Sequence, residues 1–220
     1  MIQAQQHPSL DSRKAVPSEE FFRILVPPEE VEGQASLFED WQLGIVFLSQ
    51  GRFVSGVTFN YDLLHHRLLV LVDEKEYTLD PIAVDSVLVS NRSQVLINPI
   101  IIEGAETESL LLKVYDSPRL SLFRHTVATT EEEQEKTTST TRLVYEHAGE
   151  IPVELEPSYF LLNKMTREFR EIQGKIKEVK KWEQGDKVVD FIKNQQLDLK
   201  EESDLIKAVA FSDQLMVEGK

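Results

Sequence analysis

The segment Trp41–Val84 constrains this chain more than any other. It alternates apolar and polar residues with period two, breaks at tight turns and alternates again, which is the pattern of an antiparallel β-meander. Gln42–Leu48 carries Leu43, Ile45 and Phe47 at alternate positions, predicting one apolar face. Ser49-Gln50-Gly51 reads as a turn whose glycine permits a positive φ. Arg52–Phe59 returns with Phe53, Ser55, Val57 and Phe59 on one side, and Asn60-Tyr61-Asp62 begins a connection. Arg67–Val72 is almost continuously apolar, as expected of a strand covered on both faces. Asp73-Glu74-Lys75 turns into Glu76–Leu79, Pro81 ends that strand, and Asp85–Ser90 supplies another. Further strands are predicted at Gln94–Ile97, Glu108–Asp116, Leu120–Thr126 and Arg142–Tyr145, with turn chemistry at Asn91-Arg92 and Glu103–Glu106.

A meander of this length must curl or close to bury its apolar face and limit free edges. The predicted class is α+β: a mainly antiparallel sheet over residues 21–173, as a bent sheet, an open barrel or a sandwich, followed by a small helical region over 174–220. Residues 1–20 are polar, with Pro8 and Pro17, and read as a flexible N-terminal segment. Phe21–Val26, closed by Pro27-Pro28, reads as an edge strand or docking segment. Residues 128–141 are acidic and threonine-rich, too poor in apolar groups to offset ordering entropy, and predict a mobile loop.

Two helices are predicted in the tail. Asp186–Gln195 would be capped by Asp186 and present Val188, Val189 and Ile192. Glu201–Leu215 has acidic residues in its first turn and an inner face of Leu205, Ile206, Val209 and Met216. They would pack together over one end of the sheet or form a separate lobe. Residues 158–183 carry two readings. Leu162, Met165, Phe169, Ile172, Ile176 and Val179 are three or four apart and suit one long helix, broken only by Gly174. The alternative is a hairpin of Tyr159–Leu162 and Glu168–Ile172, turning at Asn163–Thr166, with a short helix Lys175–Trp182 after it.

Composition excludes several function classes. The chain has no cysteine, so disulfide frameworks, zinc-thiolate sites and cysteine nucleophiles are ruled out. Of the net charge of −14, residues 163–220 contribute nothing, with 12 Lys+Arg against 12 Asp+Glu. Residues 1–162, which include most of the β-rich part, carry it all and should repel phosphate backbones, so no nucleic-acid partner is expected. No run of about 18 apolar residues exists, so no transmembrane helix is expected. Met1–Gln6 lacks the basic and apolar parts of a signal peptide, and its polar character would suit a mature N-terminus left by cleavage.

Trp41–Leu48, then Gly51, then Phe59-Asn60-Tyr61-Asp62 resemble a recurrent "W-x-x-G-x-V-x-L-x-x-G" and "R-Y-N" pattern of an uncharacterised family of Bacteroidota extracytoplasmic proteins. The tail, with Glu201-Glu202-Ser203-Asp204-Leu205-Ile206-Lys207, is similar to that family's closing "eeDLikl" helix. The likeness spans roughly 36–90 and 110–219, in order; Phe59-Asn60-Tyr61 in place of Arg-Tyr-Asn and the acidic loop 128–141 depart from it. The resemblance implies a periplasmic or secreted location, with the cytoplasm as the alternative, and favours the hairpin at 159–172. It supplies no catalytic residues.

Several residues invite functional readings. Neighbours on a strand point to opposite faces, so His65 and His66 could share a metal only in a turn, and no nearby ligand set completes a site. Tyr61 and Trp182 read as half-exposed aromatics open to a ligand or partner, whereas Trp41 and Phe59 read as core. Lys164–Lys181 holds seven basic and three acidic residues; Lys180 and Lys181 could meet an anionic partner, although pairing with the acidic β region is the plainer explanation. No Gly-x-Ser-x-Gly elbow and no phosphate loop occurs, no catalytic residue is assigned and no cofactor is expected. The resulting expectation is a non-enzymatic extracytoplasmic binding or structural protein acting through protein–protein contacts. A small apolar-ligand carrier and an envelope hydrolase are the alternatives.

Overall fold

The computed structural model describes residues 14–27, 35–79, 81–90, 94–98, 102, 109–130 and 153–218. The predicted strand Arg142–Tyr145, the turns at 91–92 and 103–106, and most of the segments 1–20 and 128–141 lie outside the described residues. The described part is mainly antiparallel β with few helices, the α+β class expected.

Its strands are β1 (Lys14–Ala15), β2 (Gln42–Leu48), β3 (Arg52–Asp62), β4 (Arg67–Val72), β5 (Lys75–Leu79), β6 (Val84–Val89), β7 (Gln94–Ile97), β8 (Leu111–Asp116), β9 (Leu120–Thr130), β10 (Val153–Asn163) and β11 (Glu168–Ile172). The helices are α1 (Ser18–Phe22), α2 (Ile176–Val179), α3 (Gly185–Gln195) and α4 (Glu202–Glu218). The chain divides into two compact units. Among the described residues, the first holds α1, β1–β7, the start of β8, β9 from His125 and β10 up to Pro157; the second holds Lys113–Arg124 and Ser158 onward. The division therefore does not fall at 173/174: the second unit takes in the β10–β11 hairpin as well as the C-terminal helices.

In the first unit the strand order is β7-β6-β2-β3-β4-β5, antiparallel throughout, with β1 added parallel to β3. The run does not close into a barrel. Leu48↔Arg52 closes the first hairpin through Ser49–Gly51, where both Gln50 and Gly51 have positive φ, as the predicted turn requires. Leu68, Leu69 and Val70 are all buried, so the middle of β4 is covered on both faces.

Two face assignments differ from the sequence reading. Gly44 pairs with Val57 and Ile45 with Ser55, leaving Gly56 as an extra residue at φ 72. This bulge resets the alternation of β3, so Val54 and Val57 are buried while Ser55 is exposed. On β2 the buried side is Gln42, Gly44, Val46 and Leu48, and Leu43 is 53% exposed. Asn60-Tyr61-Asp62 ends β3 rather than starting a loop, and all three residues are buried.

The N-terminal segment is also ordered differently. Pro17, at φ −59, precedes α1, and Glu19 and Glu20 occupy its first turn, where the helix dipole favours anions. Phe21 is buried and Phe22 exposed. Of the expected edge strand only Val26 pairs, through two hydrogen bonds with Thr78. Residues 14–15 and 128–130, expected to be flexible, are in β1 and β9.

In the second unit, residues 159–172 form the hairpin, with Tyr159 opposite Ile172 and Asn163 opposite Glu168. The long-helix reading fails because the same apolar residues also alternate along two strands, and Asn163 Oδ1 accepts the Met165 and Thr166 N–H groups to close the turn. α3 and α4 pack together, with the Phe191 and Phe211 rings stacked 4.1 Å apart. They share one core with Leu120, Leu122, Leu161 and Ile172, so they cover a face of the unit's strands and are not a separate lobe. Asp186 lies in the first turn of α3 but does not cap it; Gln184 does so with left-handed backbone and no side-chain bond. In α4 the inner face is Leu205, Ala208, Val209, Ser212 and Leu215, with Ile206 and Met216 only half-buried.

Candidate functional site

The structure separates the candidate residues into two groups, one in each unit. In the first, Asp62 is the organising side chain. It is fully buried, and its Oδ1 accepts backbone N–H groups from Leu64 (3.1 Å), His65 (3.3 Å) and Ala35 (3.5 Å). Its Oδ2 lies 2.8 Å from His65 Nδ1 and accepts Arg67 Nε at 3.0 Å. Asn60 holds the same incoming segment: its Oδ1 accepts from Phe38 N and its Nδ2 donates to Phe38 O. Tyr61, expected half-exposed, is 1% exposed, and its hydroxyl accepts the Leu110 N–H at 3.0 Å. Burial is the main reason its pKa is pushed up to about 12. Trp41, expected in the core, is only half-buried, whereas Phe59 is fully buried.

His65 and His66 sit in the β3–β4 turn, and His66 has φ 52. They do not converge: His65 turns to Asp62, while His66 Nδ1 lies 3.0 Å from Ser109 Oγ. Among the described residues no group of three His, Cys, Asp or Glu could hold a metal ion. Ser109 is buried, so this hydroxyl–imidazole contact anchors the segment at 109–110 instead of presenting a nucleophile.

Desolvation lowers the pKa of His66, with the Asp62 charge opposing and His65 adding to the shift. Desolvation and then the neighbouring His66 lower that of His125. The unfolded chain therefore binds protons on these groups near 6.5, before the folded chain does. Stability from this source is complete above pH 6.5 and declines as pH falls below it, towards the folded values. Urea midpoints measured across that range should fall less steeply for a His66→Gln/His125→Gln variant than for the wild type; equal slopes would assign the pH dependence to other groups.

The second group surrounds a crevice where the β10–β11 hairpin, the α2–α3 connection and α4 meet. Trp182 and Lys181 line it. Trp182, expected half-exposed, is 6% exposed because it belongs to the core beneath the crevice. Lys180 is exposed beside Lys181 but does not line the crevice. Of the basic stretch, Lys164 pairs with Asp116 at 2.6 Å and Arg170 with Glu168 at 3.3 Å, both within the unit. Burial pushes the Asp116 carboxyl up, but hydrogen bonds from Lys164, Ser121 and Lys113 outweigh it and bring its pKa to about 2.

Three participants escaped the sequence reading. Asp62 had a local signal, an aspartate at a strand end followed by a turn in which its side chain caps backbone N–H groups. Asn163 was legible only as a turn residue and Ser212 had no signal, since the two meet only through tertiary packing. No protein-family model, curated protein sequence or solved structure matches this chain.

Proposed function

We propose that this protein is a non-enzymatic binding or structural protein that works outside the cytoplasm through protein–protein contacts. The observation carrying this reading is a row of apolar side chains on the outer face of the first unit's sheet. Ile45 lies directly opposite Leu88, and Leu88 opposite Val95. Two residues along β2, Leu43 stands opposite Thr58, which is opposite Leu71. Leu43 is exposed and the others are only half-buried, so the row remains in contact with water. Contiguous apolar surface of this kind is the usual mark of a protein contact site, whereas isolated exposed apolar residues are ordinary. The extracytoplasmic location rests on the resemblance of the meander and the tail to the Bacteroidota family.

The test is affinity capture from a cell-envelope fraction with wild type, with Leu43→Glu/Leu88→Glu, and with Lys207→Gln as a control. The expected result is a partner held by wild type and control but lost by the double variant, whose unfolding midpoint should match wild type. A partner captured equally by all three would place the contact elsewhere, and capture by none would remove the reading's support. Deleting the C-terminal helices is not a usable variant, because it would strip Leu205, Ala208 and Val209 from the second unit's core.

A further inference from the structure

The crevice in the second unit has an imbalance of hydrogen-bonding groups. Ser212 is 1% exposed, lines the crevice, and its hydroxyl has no partner among the described residues. A buried hydroxyl left unpaired costs free energy, typically about 1–3 kcal/mol, unless something in the crevice bonds to it. The indole N–H of Trp182 and the ammonium of Lys181 also have no partner among the described residues. The Asn163 amide nitrogen makes no bond either, since only its oxygen is used in the turn. Arg170 is half-buried and contacts Glu168 through Nη1, leaving other N–H groups available. Glu168 also lines the crevice and takes one N–H of Arg170, so the donors that remain, on Lys181, Trp182, Asn163 and the rest of Arg170, are the groups that suit a carboxylate.

Opposite charge is present too. Glu183 lines the crevice and has no cationic partner among the described residues. A ligand bearing a carboxylate and an ammonium would use both sets, and being neutral overall it would not be repelled by a chain of net charge −14. Leu120, Leu161 and Met216 supply an apolar wall. The space, about 60 Å³, suits a molecule the size of a few waters. We propose that this crevice binds a free α-amino acid with a short apolar side chain. Its carboxylate is held by Lys181, Arg170 and Ser212, and its ammonium by Glu183.

The indole N–H cross-peak of Trp182 in a proton–nitrogen correlation spectrum reports on the site, and a Trp41→Phe variant identifies it by removing the other. Alanine is titrated into the full chain, with propionate, ethylamine and glucose as separate probes. The expected result is a saturable shift with alanine, with propionate and ethylamine each about tenfold weaker because each forfeits one charge-assisted contact. Lys181→Gln and Glu183→Gln, both at exposed positions, should each weaken alanine binding to a similar extent, and Lys207→Gln should leave it unchanged. No saturable shift with alanine overturns the proposal. Propionate binding as well as alanine overturns the role of Glu183, and a response to glucose alone replaces the zwitterion with a neutral polyol.

Discussion

Replacing Asp62 with alanine is expected to cost about 3–5 kcal/mol of folding stability, the range for removing one partner of a buried charge pair. The carboxylate is fully buried, and Arg67 Nε and His65 Nδ1 both contact it. Without it a guanidinium that is 16% exposed loses its counter-charge, and three backbone N–H groups lose their acceptor. Asp62→Asn also removes the counter-charge but keeps the shape and one acceptor oxygen for those N–H groups, so it should cost less than alanine by about 1–3 kcal/mol. Denaturant midpoints at constant m-value would measure both. Both variants lack the charge, so an alanine variant no less stable than the asparagine variant would show that the side-chain acceptor for those N–H groups contributes little.

The second large effect is expected at Gly44. A Cβ there would press on the Leu88 carbonyl oxygen and fall 2.6 Å from Phe59 Cε1. The first obstacle is backbone in the β2–β6 ladder, where Gly44 pairs with Val89, so it cannot turn aside as a side chain could. Gly44→Val should therefore cost about 3 kcal/mol or more, at or beyond the upper end for overpacking a core. Gly44→Ala should cost somewhat less. Adding Phe59→Leu to Gly44→Ala should recover only the part of the loss that comes from the ring, because the carbonyl contact remains. Thermal unfolding of the four proteins would give this coupling directly. Full recovery would mean that the strand ladder shifts more easily than its geometry implies.

Both sites bear on what the sequence could disclose. The strands of the meander were legible because a period of two is a local property, and Gly51 marked its turn for the same reason. The buried side of β3 was misread because the bulge at Gly56 inserts one residue and reverses the alternation across it, whereas on β2 apolar residues stand on both sides and alternation alone does not choose between them. Between residues 158 and 183 the apolar spacing suited a helix and a hairpin alike, and the resemblance pointed to the correct one. Tyr61 and Trp182 were read as half-exposed because amphipathic aromatics often are. One instead bonds Leu110, 49 residues away, and the other lies under α4.

By itself the sequence determined the strands of the meander, the Ser49–Gly51 turn and the two C-terminal helices, since those follow from backbone preferences and the period of apolar residues over a few positions. It also determined the absence of thiol chemistry and the placing of negative charge in the β-rich part. Only the tertiary structure decided which face of each strand is covered, that Asp62 gathers Ala35, His65 and Arg67, and that Asn163, Trp182 and Ser212 surround one crevice. The physical reason is the range of the interactions. Hydrogen-bonded periodicity is set by neighbours in the chain, whereas burial and the pairing of buried polar groups are set by segments tens of residues apart that meet only when the core forms.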